Sequence, residues 1–198
     1  MSLLVADASP IVAFVAADLV DFLLDAVESA YKKPLLLPHQ VDVEVGRVLR
    51  GIGPKHAARY AWARDSGGRL CVLAEQAVGV GDPHVSQLAY ALLDTVPGSV
   101  NEKTKNAGEA FTVAHAASMR RKDATADVLI DDGDGRRMAK KLNVPCVDTY
   151  WVFQTAVDLN LIGSKADLRK KYAAVSTYLY LNSFESTGLL DRFNRRTR

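Results

Sequence analysis

The chain has 198 residues, 48% of them hydrophobic and 24% charged, and a formal net charge of +2. It is long enough to bury a proper core and short enough to form one domain, and its composition excludes disorder over most of its length. The net charge is too small to announce a nucleic-acid binder, but basic residues do cluster at Arg136, Arg137, Lys140 and Lys141 and again in the last seven positions.

The apolar opening MSLLVADASPIVAFVAADLV is interrupted by Asp7 and Asp18, is broken at Ser9-Pro10 and has no basic region before it. Neither a signal peptide nor a membrane span is expected. Within it, Leu3 to Ala6 reads as a strand, and Ser9-Pro10 as an N-cap followed by proline at the first helical position. A second apolar run, Leu35 to Leu37, ends at Pro38 and leads into a helix over Val41 to Arg50, stopped by Gly51. Residues 55 to 65 read as a helix, Ser66-Gly67-Gly68 as a turn, and Leu70 to Leu73 as a strand at the edge of a sheet.

Helical spacing of apolar residues returns over Pro83 to Leu93, and Pro97-Gly98-Ser99 with the polar run Asn101 to Lys105 forms a loop. Asn106-Ala107-Gly108-Glu109 opens a helix through Met119. A strand over Asp127 to Ile130 leads into Asp131-Asp132-Gly133-Asp134 and a basic helix to Leu142, and Val144 to Val147 is the last apolar run. From Thr149 onward the chain reads as helices broken near Gly163 and Asn182. Strands alternating with helices imply an α/β fold, a three-layer α/β/α sandwich with a mostly parallel central sheet and extra C-terminal helices.

In such sheets ligands sit beyond the carboxyl ends of the strands, so acids at those ends are the candidate functional residues. Asp7 follows the first strand and Asp131 follows a later one, which lets two carboxylates from distant sequence share one crevice. Asp42 and Glu44 both lie in the first turns of a helix, where either one complements the helix dipole. Asn106-x-x-Glu109 matches a capping box, so Glu109 is a helix cap or a ligand. Asp131, Asp132 and Asp134 repel one another unless a divalent ion, or Arg136 and Arg137, neutralises them. His39, His56, His84 and His115 show no zinc-ligand spacing, and oxygen-rich clusters prefer Mg2+ or Mn2+. Cys71 and Cys146 lie in hydrophobic surroundings with no second cysteine nearby, so reduced core residues in a cytoplasmic protein are expected.

Taken in order, these segments resemble the PIN-domain nucleases, and most of all a toxin-like bacterial subgroup of them. Leu4-Val5-Ala6-Asp7-Ala8-Ser9 resembles the family's opening strand, acid and hydroxyl residue, and Glu44 in Pro38-x5-Glu44 resembles its second acid. Glu109 in Gly108-Glu109-Ala110 resembles the third, and Asp131, with Asp132 beside it, the last. The likeness covers roughly residues 3 to 165; residues 64 to 105 are longer than a compact family core needs, and Asp134 adds an extra acid.

The resemblance implies a nuclease domain over residues 1–165, with 166–198 as a C-terminal helical extension packed on it. It also implies hydrolysis of phosphodiester bonds with Mg2+ or Mn2+ held by Asp7, Glu44, Glu109, Asp131 and Asp132. Ser9 is expected to orient Asp7, and Arg136, Arg137, Lys140 and Lys141 to hold substrate phosphates. RNA is the expected substrate, with DNA as the other choice, and a protein antitoxin and a homodimer are the expected partners. The dimer expectation also rests on the apolar, tyrosine-rich run Tyr172 to Leu181, which a buried helix would match equally well. Two rivals stand beside this reading: a non-catalytic RNA-binding module, and a phosphotransfer domain with Asp7 as nucleophile. Phosphatases of the haloacid-dehalogenase type want a second Asp two positions on, where this chain has Ser9.

Overall fold

Short apolar runs become central strands when both faces of a sheet are covered, because every side chain is then buried whichever way it points. The computed structural model describes residues 2–65, 67–73, 82–96, 105–122 and 124–196. Its strands are β1 (Ser2–Ala6), β2 (Leu35–Pro38), β3 (Leu70–Leu73), β4 (Thr125–Leu129) and β5 (Cys146–Val147), in the order β3-β2-β1-β4-β5. Each described pairing is parallel. The helices described are α1 (Ala8–Ala16), α2 (Val20–Tyr31), α3 (His39–Ile52), α4 (Pro54–Asp65), α5 (Pro83–Leu93), α6 (Ala107–Arg121), α7 (Gly133–Lys141), α8 (Thr149–Asp158), α9 (Lys165–Ser176) and α10 (Leu189–Arg196).

Strand alternation divides the core into two clusters, one on each face. Leu4, Ala6, Leu35, Leu37, Leu70 and Leu129 pack with residues of α1 to α4 and α8 to α10. Val5, Leu36, Ala126, Val128 and Ile130 pack with α5, α6 and α7. The result is the expected three-layer α/β/α sandwich. Phe153 anchors the first layer, with ring centroids 5.9 Å from Phe14, 5.6 Å from Phe22 and 5.1 Å from Tyr172. Such pairs each add about 0.5–1.5 kcal/mol beyond the area they bury.

The C-terminal helices belong to this same core. Leu168, Tyr172, Val175, Leu189 and Phe193 are buried in the first cluster, and Arg192 grips Asp158 through two nitrogens. Among the described residues, no helix is long and apolar enough to cross a membrane.

Several local expectations need correction. Helix α1 begins at Ala8 with Asp7 as its N-cap residue, so Ser9 is not the cap and Pro10 is the third helical residue. Proline is tolerated there because first-turn N–H groups have no intrahelical acceptor. Helix α3 runs through Gly51 to Ile52 and stops at Gly53. The break belongs to Pro54, which disfavours helical backbone in the residue before it and starts α4 itself.

Both cysteines are free, but neither is a core residue: Cys71 is half-buried and Cys146 exposed, because each lies on an edge strand. Helix α6 extends to Arg121, past the expected Met119. Gly67 and Gly68 adopt the positive φ that the expected turn demands, at 73° and 69°. Ser66, and the expected 97–105 loop up to residue 104, lie outside the described residues.

Candidate active site

The strand order places a topological switch point between β1 and β4. From β1 the chain steps outward through β2 to β3, then crosses back to form β4 on the other side of β1. Helices leave neighbouring strands in opposite directions at such a point, and a crevice opens at their carboxyl ends. Asp7 and Asp131 stand there. The Asp7 N–H donates to the Leu129 carbonyl at 3.0 Å, which ties the end of β1 to the end of β4.

Glu44 reaches the crevice from α3, and a missing side chain makes room for it. A Cβ on Gly108 would stand 2.9 Å from Glu44 Oε2 and 3.2 Å from Asp7 Oδ1, so the two carboxylates flank the start of α6 in space that any larger residue there would crowd. Asp42 goes elsewhere, because residues two apart on a helix lie on nearly opposite faces. Its Oδ1 accepts from the Tyr60 hydroxyl at 2.6 Å, and its Oδ2 lies 3.3 Å from Arg64. Of the two acids, Glu44 is the one in the crevice.

Glu109 enters from the first turn of α6. Asn106 is the N-cap of that helix, but its side chain makes no capping hydrogen bond, so the expected capping box lacks one half. The stem of Glu109 is wedged against α7, where a Cβ on Gly135 would come within 3.0 Å of its Cγ. Asp131 is held by Thr149, whose N–H donates to Oδ1 at 2.9 Å and whose hydroxyl donates to Oδ2 at 2.7 Å. Asp132 caps α7 by accepting from the Asp134 N–H at 2.7 Å, and Asp134 pairs with Arg137.

Burial acts on all four central acids, and repulsion from the others adds to it at Asp7 and Glu109. Asp7 is 2% exposed, and its carboxyl is pushed up to about 7, by burial first and then by the charges of Glu44 and Asp131, against the opposing amides of Ala8 and Ser9. Glu109 is pushed up to about 8, by burial and then by Asp7, with Asp132 and Glu44 adding to it. Burial also raises Asp131 and Glu44, opposed at Asp131 by the two Thr149 donors and at Glu44 by Arg47. Among the described residues, Arg47 acts on Glu44 and Arg136 on Asp131, while the acids themselves raise Asp7 and Glu109.

The four acids bring carboxylate oxygens to the crevice, the donors that hard divalent ions take. Among the described residues, no three His, Cys, Asp or Glu side chains stand as a ready-made ion shell. The acids therefore converge without closing on one another.

Beside the cluster lies a cleft of about 450 Å3, lined on one side by Ser9, Asp131, Asp132, Arg136 and Asp148. Sequence reasoning missed Asp148. It caps α8 by accepting from the Trp151 N–H at 2.9 Å and pairs with Arg136 at 3.1 Å. The signal was present, since Asp148 follows an apolar run just as Asp7 and Asp131 do.

The basic residues of α7 divide. Arg136 lines the cleft, Arg137 is exposed and paired with Asp134, and Lys140 is exposed. Lys141 lines a separate depression with Arg120, Arg121 and Asn143.

No family model, curated protein or solved structure matches this chain.

Proposed function

We propose that the chain is a divalent-metal-dependent nuclease that hydrolyses phosphodiester bonds in RNA. The observation that carries this reading is the convergence of Asp7, Glu44, Glu109 and Asp131 at the switch point, with Asp7 and Glu109 raised to about 7 and about 8. Buried carboxyls at such values destabilise the fold at neutral pH unless a cation joins them.

In this reading Asp7, Glu44, Glu109 and Asp131 hold Mg2+ or Mn2+ directly or through water, with Asp132 beside them. The ion supplies a hydroxide at neutral pH and offsets charge developing on the phosphate. Thr149 fixes the rotamer of Asp131, and Gly108 admits Asp7 and Glu44 to the same space. Ser9, at the cleft rim with its amide toward Asp7, helps orient that carboxylate. Arg136 is the cation best placed for a substrate phosphate, because it lines the cleft. Arg137, Lys140 and Lys141 extend the positive field along α7.

A second reading, a non-catalytic RNA-binding module, is favoured by one observation: both oxygens of Asp131 already accept hydrogen bonds from Thr149. Asp7 as a phosphotransfer nucleophile has less support, since at 2% exposure an incoming phosphoryl group has little access to it.

The deciding experiment incubates the pure protein with defined single-stranded RNA and DNA, in magnesium, in manganese and in chelator. RNA cleavage that needs metal and is lost in Asp7→Asn and Asp131→Asn supports the nuclease. Binding without cleavage under every condition supports the module. Cytoplasmic location, a homodimer and control by a protein antitoxin belong to the same proposal. Light scattering at micromolar concentration tests the dimer, and a small DNA-binding protein encoded next to this chain would support the antitoxin.

A further inference from the structure

The far wall of the cleft is built by a segment of the C-terminal extension, and its construction points one aromatic ring outward. Residues 177–183 follow α9, and Leu179, Tyr180, Leu181 and Asn182 all line the cleft. Leu179 and Leu181 are packed against the core, which sends the residue between them the other way. Tyr180 is accordingly 105% exposed.

Two other tyrosines that line the cleft brace this segment. The Tyr172 hydroxyl donates to the Asn182 carbonyl at 2.8 Å, and the Tyr150 hydroxyl donates to the Thr187 carbonyl. A further backbone bond, from the Leu181 N–H to the Leu179 carbonyl at 2.9 Å, tightens the turn that carries Tyr180. One exposed aromatic ring carries no information by itself. This ring stands on a braced segment that lines the same cleft as Asp131, Asp132 and Arg136.

Resting on the nuclease reading, we propose that Tyr180 is a stacking platform for an unpaired nucleobase of the substrate. The cleft, at about 450 Å3, has room for an extruded base and its sugar. Aromatic rings accept any base by its π-face, so the platform selects for single strands rather than for sequence. Arg136, which lines the same cleft, is then the cation for a neighbouring phosphate.

The test is binding of a fluorescent single-stranded RNA, followed by anisotropy in chelator and again in magnesium, alongside the same RNA carrying abasic positions. Tyr180→Ala is expected to weaken binding of the intact RNA about ten-fold, while Tyr180→Phe retains it. Thermal stability should not change in either variant, because the ring buries nothing. The abasic RNA should bind the natural protein about ten-fold more weakly than intact RNA, and Tyr180→Ala should no longer distinguish the two.

Unchanged binding by Tyr180→Ala overturns the platform, as does an equal loss on intact and abasic RNA, and as does no binding of single-stranded RNA by the natural protein. If this binding pattern holds while the natural protein cuts nothing in either metal, the platform stands and the nuclease reading falls.

Discussion

Thr149 occupies both oxygens of Asp131, one through its backbone N–H at 2.9 Å and the other through its hydroxyl at 2.7 Å. Thr149 is fully buried, so water cannot replace the hydroxyl. Thr149→Val keeps the shape and the N–H donor but removes the hydroxyl bond to a half-buried carboxylate, at a cost of about 1–3 kcal/mol. Losing that donor also pushes the Asp131 carboxyl further upward, away from the charged form. Thr149→Val is expected to lower thermal stability and to weaken manganese binding measured by calorimetry, while Thr149→Ser restores both. If Val and Ser variants bind manganese equally well, Thr149 does not position Asp131.

Gly108 gives a cleaner separation of stability from function. It is the second residue of α6, where alanine is the better helix former by about 1 kcal/mol. Its missing Cβ is nonetheless the space between Glu44 and Asp7. Gly108→Ala is expected to fold with a melting temperature close to the natural one and to lose metal-dependent cleavage by more than ten-fold. Full activity in that variant would show that the two carboxylates need not share this space.

The raised carboxyls also set the pH dependence of stability. Asp7 at about 7 and Glu109 at about 8 lie above their ordinary 3.8 and 4.5, so the folded state binds more protons than the unfolded one across that window. Their stabilisation is present at low pH and is lost as pH rises through the folded values. His115 opposes this trend at its acid end, since burial pushes it down to about 4 from 6.5 and its contribution is lost as pH falls. The net fall should therefore be steepest between about pH 6.5 and 7 and continue, through Glu109, to about pH 8. Melting in chelator is expected at a lower temperature near pH 8.5 than near pH 6.5, with Asp7→Asn flattening the difference and manganese restoring most at the alkaline end. A flat profile in chelator would remove the case for a strained acid cluster.

How far the sequence revealed this site depends on what each residue needed. Asp7 and Asp131 were legible because an acid after an apolar run is local information, and the parallel sheet brings strand ends together. Glu44 could not be chosen over Asp42 from sequence, because the choice depends on Tyr60 and Arg64, which reach Asp42 from the next helix. The dual reading of Glu109 was equally local, and the packing of Gly135 of α7 against its stem is a contact that sequence spacing does not reveal. The run Tyr172 to Leu181 concealed two environments: both rings border the cleft, but Tyr172 is buried in the core and Tyr180 is fully exposed. Only the path of the chain after α9 separates them.

Glu109 and Asp42 make a pair of opposite controls, since both are acids near the start of a helix and only one faces the crevice. Glu109→Gln removes a carboxyl held at about 8 by burial and by its acidic neighbours, while keeping the shape that fits against Gly135. Near pH 8 and without metal, this substitution should leave stability unchanged or raise it, because one of several repelling charges is gone. Metal-dependent cleavage should fall by orders of magnitude, because a neutral amide is a poor ligand for a hard divalent ion. Asp42→Asn does the reverse: it weakens a 2.6 Å bond from Tyr60 and a 3.3 Å pair with Arg64 that join α3 to α4. The expected loss is about 1–2 kcal/mol of stability with kcat unchanged. Thermal melting and single-turnover cleavage of both variants decide the matter. If Asp42→Asn abolishes cleavage while remaining folded and Glu109→Gln cleaves normally, the second acid has been misassigned and the metal is held on the α3–α4 side instead.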